Sequence, residues 1–290
     1  DRPAGPLPRV GTQRMSHTLR ELFLARGATR ETITHLRPVA AHEVLLVEGG
    51  TVDVFLCHLE AGGQVGRRVF LRQAGPHASV VVGMSTGQGF SLMAVTLGTI
   101  DVLVLPNSEM PGMLKENPQA FAEPLEDWLR TLTPTAIKAP LPILARAMAP
   151  GETVESKSVD RYYPRQTVLV QVVAGSVKFV DKRLIEASET HLTPLLPTTW
   201  LATEKGTVLR VFSVTEGLAR EGTWDSLCLY GQGILEMVVA ERERFTEIER
   251  IRIDGRAEVD FDTQKRGWKQ MARVLTRERL GVVHQMSAVE

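Results

Sequence analysis

The sequence predicts a mainly β protein with α-helices, built as two related β-rolls, each followed by helices. Three observations carry that expectation. In residues 45–56, LLVEGGTVDVFL, two apolar runs flank Glu48-Gly49-Gly50-Thr51, and the second alternates, with Val52 and Val54 facing one way and Asp53 and Phe55 the other. The same design returns 125 residues later in residues 170–180, VQVVAGSVKFV. There Ala174-Gly175-Ser176 replaces Gly49-Gly50-Thr51, and Val177 and Phe179 fall where Val52 and Val54 fell. Residues 92–98 followed by 99–104 are likewise matched by 201–206 followed by 207–212.

Taken in order, residues 1–14 read as a disordered lead-in rich in proline, arginine and glycine. Ser16 is placed to cap a helix carrying Leu19, Leu22, Phe23 and Ala25, which ends near Gly27, and residues 28–33 extend it by a turn. Strands are expected at 43–47, 52–58, 67–72, 80–82, 90–96 and 100–105. Gly49-Gly50 reads as a hairpin turn, because glycine reaches positive φ at little steric cost. Short strands with turns every 8 to 12 residues favour a barrel or sandwich over an α/β layer fold. Asn107 or Ser108 caps a helix to about Lys115. A second helix over 118–132 buries Phe121, Leu125, Trp128, Leu129 and Leu132 at a 3.6-residue period. The second β-unit spans about 153–214. Trp224, Leu227, Cys228, Ile234, Leu235, Val238 and Val239 then form a helical stripe, followed by solvated Glu/Arg pairs (Glu241 with Arg244, Glu247 with Arg250) and a last helix over 263–279. The domain reading is therefore an N-terminal extension and helix, 1–37; a first roll with trailing helices, 38–134; a second, degenerate roll, 135–220; and C-terminal helices, 221–290.

Composition narrows the function. The 290 residues are 43% hydrophobic and 23% charged, a globular balance that suits two domains. Thirty-four basic residues equal 34 acidic ones, so no global field draws the chain to nucleic acid or an anionic membrane. No apolar run reaches the roughly 20 residues that span a bilayer. Cys57 and Cys228 read as two buried thiols of a reducing cytosol.

No reaction centre is visible. The seven histidines are scattered, and His58 with Glu60 is the nearest approach to a ligand pair, so no metal or other cofactor is expected. Residues 83–89, GMSTGQG, have the glycines of a phosphate loop but not its lysine, and Ser85 and Thr86 have no neighbouring base. Asp160, Asp181 and Asp225 read as turn or cap residues. Arg67 and Arg68 open a strand whose charge guards a sheet edge, and with Arg72 they are the candidate partners of an anion. Trp128, Trp200, Trp224 and Trp268 read as core.

A short strand-rich roll followed by helices, repeated, resembles the cyclic-nucleotide-binding-like (cupin-like) β-roll. In nucleotide-binding members a glycine, a glutamate and a later arginine hold the cyclic phosphate. Here Gly83 and Met84 stand at that place, no glutamate follows, and no arginine lies between His77 and Pro106; residues 192–197 of the second unit also lack the set. Neither roll is therefore expected to bind a cyclic nucleotide in the usual way. Further motifs carry a closer resemblance: residues 46–55, Gly66-Arg67-Arg68-Val69-Phe70-Leu71-Arg72, Gly83-Met84 and residues 195–201. They are similar to the cytosolic N-terminal region of bacteriocin-export ABC transporters associated with nitrile-hydratase-like leader peptides, in their permease/ATPase subunit. That resemblance implies a non-catalytic regulatory or cargo-recognition region of a peptide exporter, cytoplasmic and tethered to the inner face of the membrane, with ATPase chemistry elsewhere. Implied partners are a leader peptide or cargo protein, the transporter's membrane and ATPase domains, and a second copy of the chain, but no nucleic acid. The alternatives are a pair of small-ligand sensors, with Arg67, Arg68, Arg72, Gly83 and Met84 as contacts, or a self-assembling scaffold.

Overall fold

Strands form where apolar and polar side chains alternate, and the register between them shows how the repeat is built. The computed structural model describes residues 19–59, 65–75, 79–84, 89–137 and 140–258, with the side chains of all these except residues 59, 65, 67, 135, 136 and 242–258. After helix α1 (19–25), which Gly27 ends at φ 79°, come β1 (Thr29–Ile33), β2 (Leu36–Val39), β3 (Glu43–Val47) and β4 (Val52–Leu59). Then follow β5 (Val65–Ala74), β6 (Val80–Val82), β7 (Phe90–Val95) and β8 (Ile100–Pro106). A 3-10 turn over Asn107–Glu109 leads into α2 (Met110–Glu116) and α3 (Pro118–Ala136). The second set is β9 (Arg146–Met148), β10 (Thr153–Glu155), β11 (Asp160–Pro164), β12 (Val168–Ala174), β13 (Ser176–Phe179) and β14 (Arg183–Glu186). It continues with β15 (Leu192–Leu195), β16 (Leu201–Thr203), β17 (Val208–Ser213), α4 (Val214–Leu218) and α5 (Thr223–Glu258).

The first eight strands make two sheets, ordered β1-β8-β3-β6 and β2-β7-β4-β5. The second set repeats both orders as β10-β17-β12-β15 and β11-β16-β13-β14, with β9 added in parallel beside β11. Each is a double-sheet jelly roll. The fold is therefore mainly β with helices, and the duplication read from the sequence is a duplication of topology. The chain divides into two compact units, residues 1–238 and 239–290. Both rolls lie in the first unit, and in the second the described residues continue α5 as helix to Glu258. No helix among the described residues is long and apolar enough to cross a membrane.

Two local expectations are corrected. Gly49-Gly50 is not a hairpin turn: β3 pairs with β6 and β8 while β4 pairs with β5 and β7, so the chain there crosses from one sheet to the other. Gly50 and Gly175 make that corner with φ of 71° and 78°. A Cβ at Gly50 would lie 3.0 Å from the Ile100 side chain, and one at Gly175 would lie 3.0 Å from Thr207 Oγ1, so even the neighbours correspond. Residues 29–33 are likewise not a helical turn but β1, antiparallel to β8. Pairing with an established strand overrides weak local propensity. The lead-in at 1–14, Ser16, Glu60, Ser85, Thr86, the side chains of the expected Glu/Arg pairs beyond Glu241, Trp268 and the helix expected at 263–279 lie outside the described residues.

The helices close the rolls with the predicted stripes. Phe121, Leu125, Trp128, Leu129 and Leu132 of α3 are all buried, and Phe23 of α1 lies against Phe121 with ring centroids 6.4 Å apart. The corner between β2 and β3 is fixed by charge: Arg37 donates to both Glu43 oxygens at 2.6 and 3.0 Å, and the Ala40 amide donates to Glu43 Oε1 at 2.6 Å. Gly83 fits into this corner, donating its amide to the Glu43 carbonyl at 2.9 Å. A Cβ at Gly83 would sit 1.8 Å from the Ala40 carbonyl oxygen, and backbone cannot give way as a side chain can. Gly83→Ala should therefore lower unfolding free energy by about 3 kcal/mol or more in urea titrations, whereas Gly49→Ala, with nothing within 4 Å, should change it little.

Candidate ligand site between the second roll and helix α5

The site is built on a tight turn. Val180 and Asp181 carry φ of 45° and 57°, and the Lys182 amide donates to the Phe179 carbonyl at 2.9 Å, a type I′ hairpin turn. Positive φ is strained for a β-branched residue. Burial of the Val180 side chain and a 3.0 Å bond from its amide to the Trp200 carbonyl hold it there. The turn sets Arg183 directly across from Phe179 in the β13–β14 ladder. Above the pair runs α5: the Tyr230 ring meets Phe179 edge-on at 5.7 Å, and its hydroxyl lies 3.0 Å from Thr133 Oγ1 of α3. Between β13, β14, β15 and α5 lies a cavity of about 270 Å³ with Phe179, Tyr230, Ile234 and Met237 as its apolar wall.

Its polar lining is Arg183, Glu186, Ser188, His191 and Thr193. Arg183 Nη1 reaches the Leu229 carbonyl at 3.4 Å, a long contact, and among the described residues no carboxylate pairs with it. Gly233 makes room for this guanidinium, since a Cβ there would lie 2.0 Å from Nη1. Burial, with Arg183 as a further cause, holds the His191 imidazole below its ordinary value. Thr193 Oγ1 is buried and has no hydrogen-bond partner. Buried hydroxyls are almost always satisfied, so such an orphan marks a place for an acceptor or donor from outside the chain. With an arginine, an imidazole and a buried hydroxyl on an apolar wall, the arrangement can hold an anion with an apolar body. Cys57 and Cys228 are both free thiols, raised by burial, Cys228 to about 11.

The residues singled out from the sequence do not converge. Arg67 lies on β5, with its side chain outside the described residues; Arg68 is exposed on the same edge strand, opposite Cys57. Gly83 is packed into its corner, and Met84 is buried with its sulfur where a Gly231 Cβ would be, so both serve packing. Arg72 alone is polar and buried, at 3% exposure. Nη2 donates to Asp127 of α3 at 3.1 Å, while Nε and Nη1 have no partner. Burial pushes the Arg72 guanidinium down and Asp127 opposes it. Sequence reasoning passed over Arg183, which follows the exposed Asp181 and Lys182; the usable signal was its place across from Phe179, the counterpart of Val54. Asp127→Ala should destabilise by about 3 kcal/mol, because it strands a buried charge. Asp127→Ala with Arg72→Met should recover most of that loss in the same denaturation assay.

No protein-family model matches the sequence, and no curated protein sequence matches it. Comparison of coordinates finds solved structures of low similarity. The c-di-GMP responsive global regulator CLP of Xanthomonas campestris is 17% identical over 41% of this chain and 62% of that one, at a TM-score of 0.30. A CooA mutant from Carboxydothermus hydrogenoformans is 15% identical over 44% and 86%, at 0.29. The catabolite activator protein of Thermus thermophilus is 21% identical over 38% and 52%, at 0.27. The matched part of this chain thus spans less than two thirds of CLP and of the catabolite activator protein.

Proposed function

We propose that this chain is a non-catalytic regulatory region whose second roll senses a small anionic molecule in the cavity beneath α5. One observation carries the reading: a cavity with an apolar wall that also holds an arginine without a carboxylate and a buried hydroxyl without a partner. Such convergence of few polar groups on an apolar pocket is the usual make-up of a small-molecule site. Three of the apolar wall residues, Tyr230, Ile234 and Met237, belong to α5, so an occupant touches the helix that leaves the roll. Ligand binding is thereby coupled to helix position through direct contact.

The test is thermal stability against a panel of anionic metabolites that includes cyclic nucleotides. A true ligand at a hundred times its Kd should add roughly 2.7 kcal/mol, and Arg183→Glu should erase that gain. Silence across the panel, or a gain that survives Arg183→Glu, rejects the site.

Protonation gives a second check. Burial and then Arg183 hold His191 below its ordinary value, so it contributes stability that is fully present above about 6.5 and is lost as the pH falls through the lowered folded value. An anion beside Arg183 raises that value, so binding takes up a proton. Affinity should strengthen as the pH falls below the ordinary histidine value near ~6.5, by no more than about tenfold per unit, and His191→Phe should flatten the profile. Calorimetric titrations at several pH values read this directly.

The exporter context has its support in the sequence motifs, chiefly residues 46–55 and 195–201. In that setting the sensor would regulate peptide export. Titration of a leader peptide against the chain tests it, and no binding at millimolar peptide would remove it.

A further inference from the structure

The two rolls can be superposed residue by residue through their registers, and this compares their arginines. Gly50 corresponds to Gly175, hence Val54 to Phe179; Val54 stands across from Arg72, and Phe179 stands across from Arg183. Arg72 and Arg183 are therefore the same position in two copies. By the same register Leu45 faces Val81 where Val170 faces Thr193, so a buried valine of the first roll is the orphan threonine of the second. The covering helices differ to match. Against Arg72 α3 sets the carboxylate of Asp127, at 3.1 Å; against Arg183 α5 sets Gly233.

We infer that the cavity of the second roll takes a carboxylate-bearing ligand with a compact apolar body, its carboxylate standing beside Arg183 as Asp127 stands beside Arg72. This rests on the sensor reading and names its ligand class. The first roll is the copy whose arginine is occupied by the protein's own carboxylate. In the second roll that carboxylate is missing, space is left on the helix, and an unpartnered hydroxyl lies in the same cavity. The lining sets Arg183, the Thr193 hydroxyl and the half-buried His191 imidazole against the single carboxylate of Glu186, with the Ser188 hydroxyl beside them, a set that suits a monoanion of two oxygens placed at Arg183 rather than a dianion. The apolar wall and the volume of about 270 Å³ suit a body about the size of a phenyl ring on a short chain.

The experiment is calorimetric titration of the full chain with 3-phenylpropionate, 3-phenylpropionamide and 2-phenylethyl phosphate, which share one body. The carboxylate should bind at least about tenfold tighter than the amide, the yield of a charge-assisted hydrogen bond, and tighter than the phosphate. Arg183→Met should abolish the difference between carboxylate and amide, and Thr193→Val should weaken the carboxylate. Gly233→Asp rebuilds the first roll's plug. It displaces only the tip of the Arg183 side chain, and should abolish binding while leaving the melting temperature equal or higher. Equal binding of amide and carboxylate keeps the pocket and overturns the carboxylate assignment, as does a tighter phosphate. Absence of binding by all three overturns this assignment, and the sensor reading falls with it only if the panel of anionic metabolites is silent as well.

Discussion

Helix α5 must touch two surfaces at once, and the architecture of residues 1–238 follows from how it does so. Gly231 and Gly233 are two residues apart, about 200° around a helix, so they face opposite ways. A Cβ at Gly231 would lie 2.3 Å from Met84 Sδ and 3.0 Å from the Trp128 ring, on the side of the first roll and α3. A Cβ at Gly233 would meet Arg183 of the second roll. Tyr230 ties the faces together, with its hydroxyl on Thr133 and its ring on Phe179. Glycine costs a helix about 1 kcal/mol each relative to alanine; here the return is close approach on both sides. Asn107 extends the contact, accepting from the Trp224 indole.

The copies have diverged in how they treat one charge. Burying a guanidinium is expensive unless it is paired, and Arg72 is paired on one of three nitrogens. Its companion Val81 is buried and apolar where the second roll has Thr193. Arg183 stays in water behind a short turn and meets that cost only when something covers it. A resting site of this kind leaves the fold unburdened and shifts the desolvation cost to the moment of binding, which lowers affinity and favours reversible occupancy.

Much of the fold was legible because alternation and helical period are local. The strands from 43 to 105 and the stripe of α3 follow directly from them, and the repeat exposed the second roll. What was not legible is non-local. Gly-Gly between two alternating runs looks the same whether the runs pair with each other or part into different sheets, and only β6, β7 and β8 decide between these. Residues 29–33 carry four exposed side chains and one buried, so no pattern marks them as a strand before β8 supplies the pairing. The site failed for a related reason. Arg67, Arg68 and Arg72 stand out as a cluster, but a register shift in the β4–β5 pairing, between Val54 and Phe55, breaks the alternation, so that Arg68 is exposed while Arg72 is buried against α3; the residue that faces the cavity sits alone in the other copy.

The turn at Val180 and Asp181 joins these threads. The β4–β5 connection spans Leu59 to Val65, whereas β13 and β14 are joined across three residues. The shared arginine thus stands near the far end of a long strand in the first roll and at the first position after a turn in the second, where it is exposed to solvent. The short turn forces positive φ on a valine, a conformation that asparagine or glycine would adopt with less strain. Valine is kept at the turn, buried and bonded to Trp200, which fixes Phe179 and Arg183 on either side of it. A strained turn next to a cation without a carboxylate and an orphan hydroxyl is the pattern of a site held ready, and in the first roll the corresponding arginine, Arg72, is held by Asp127.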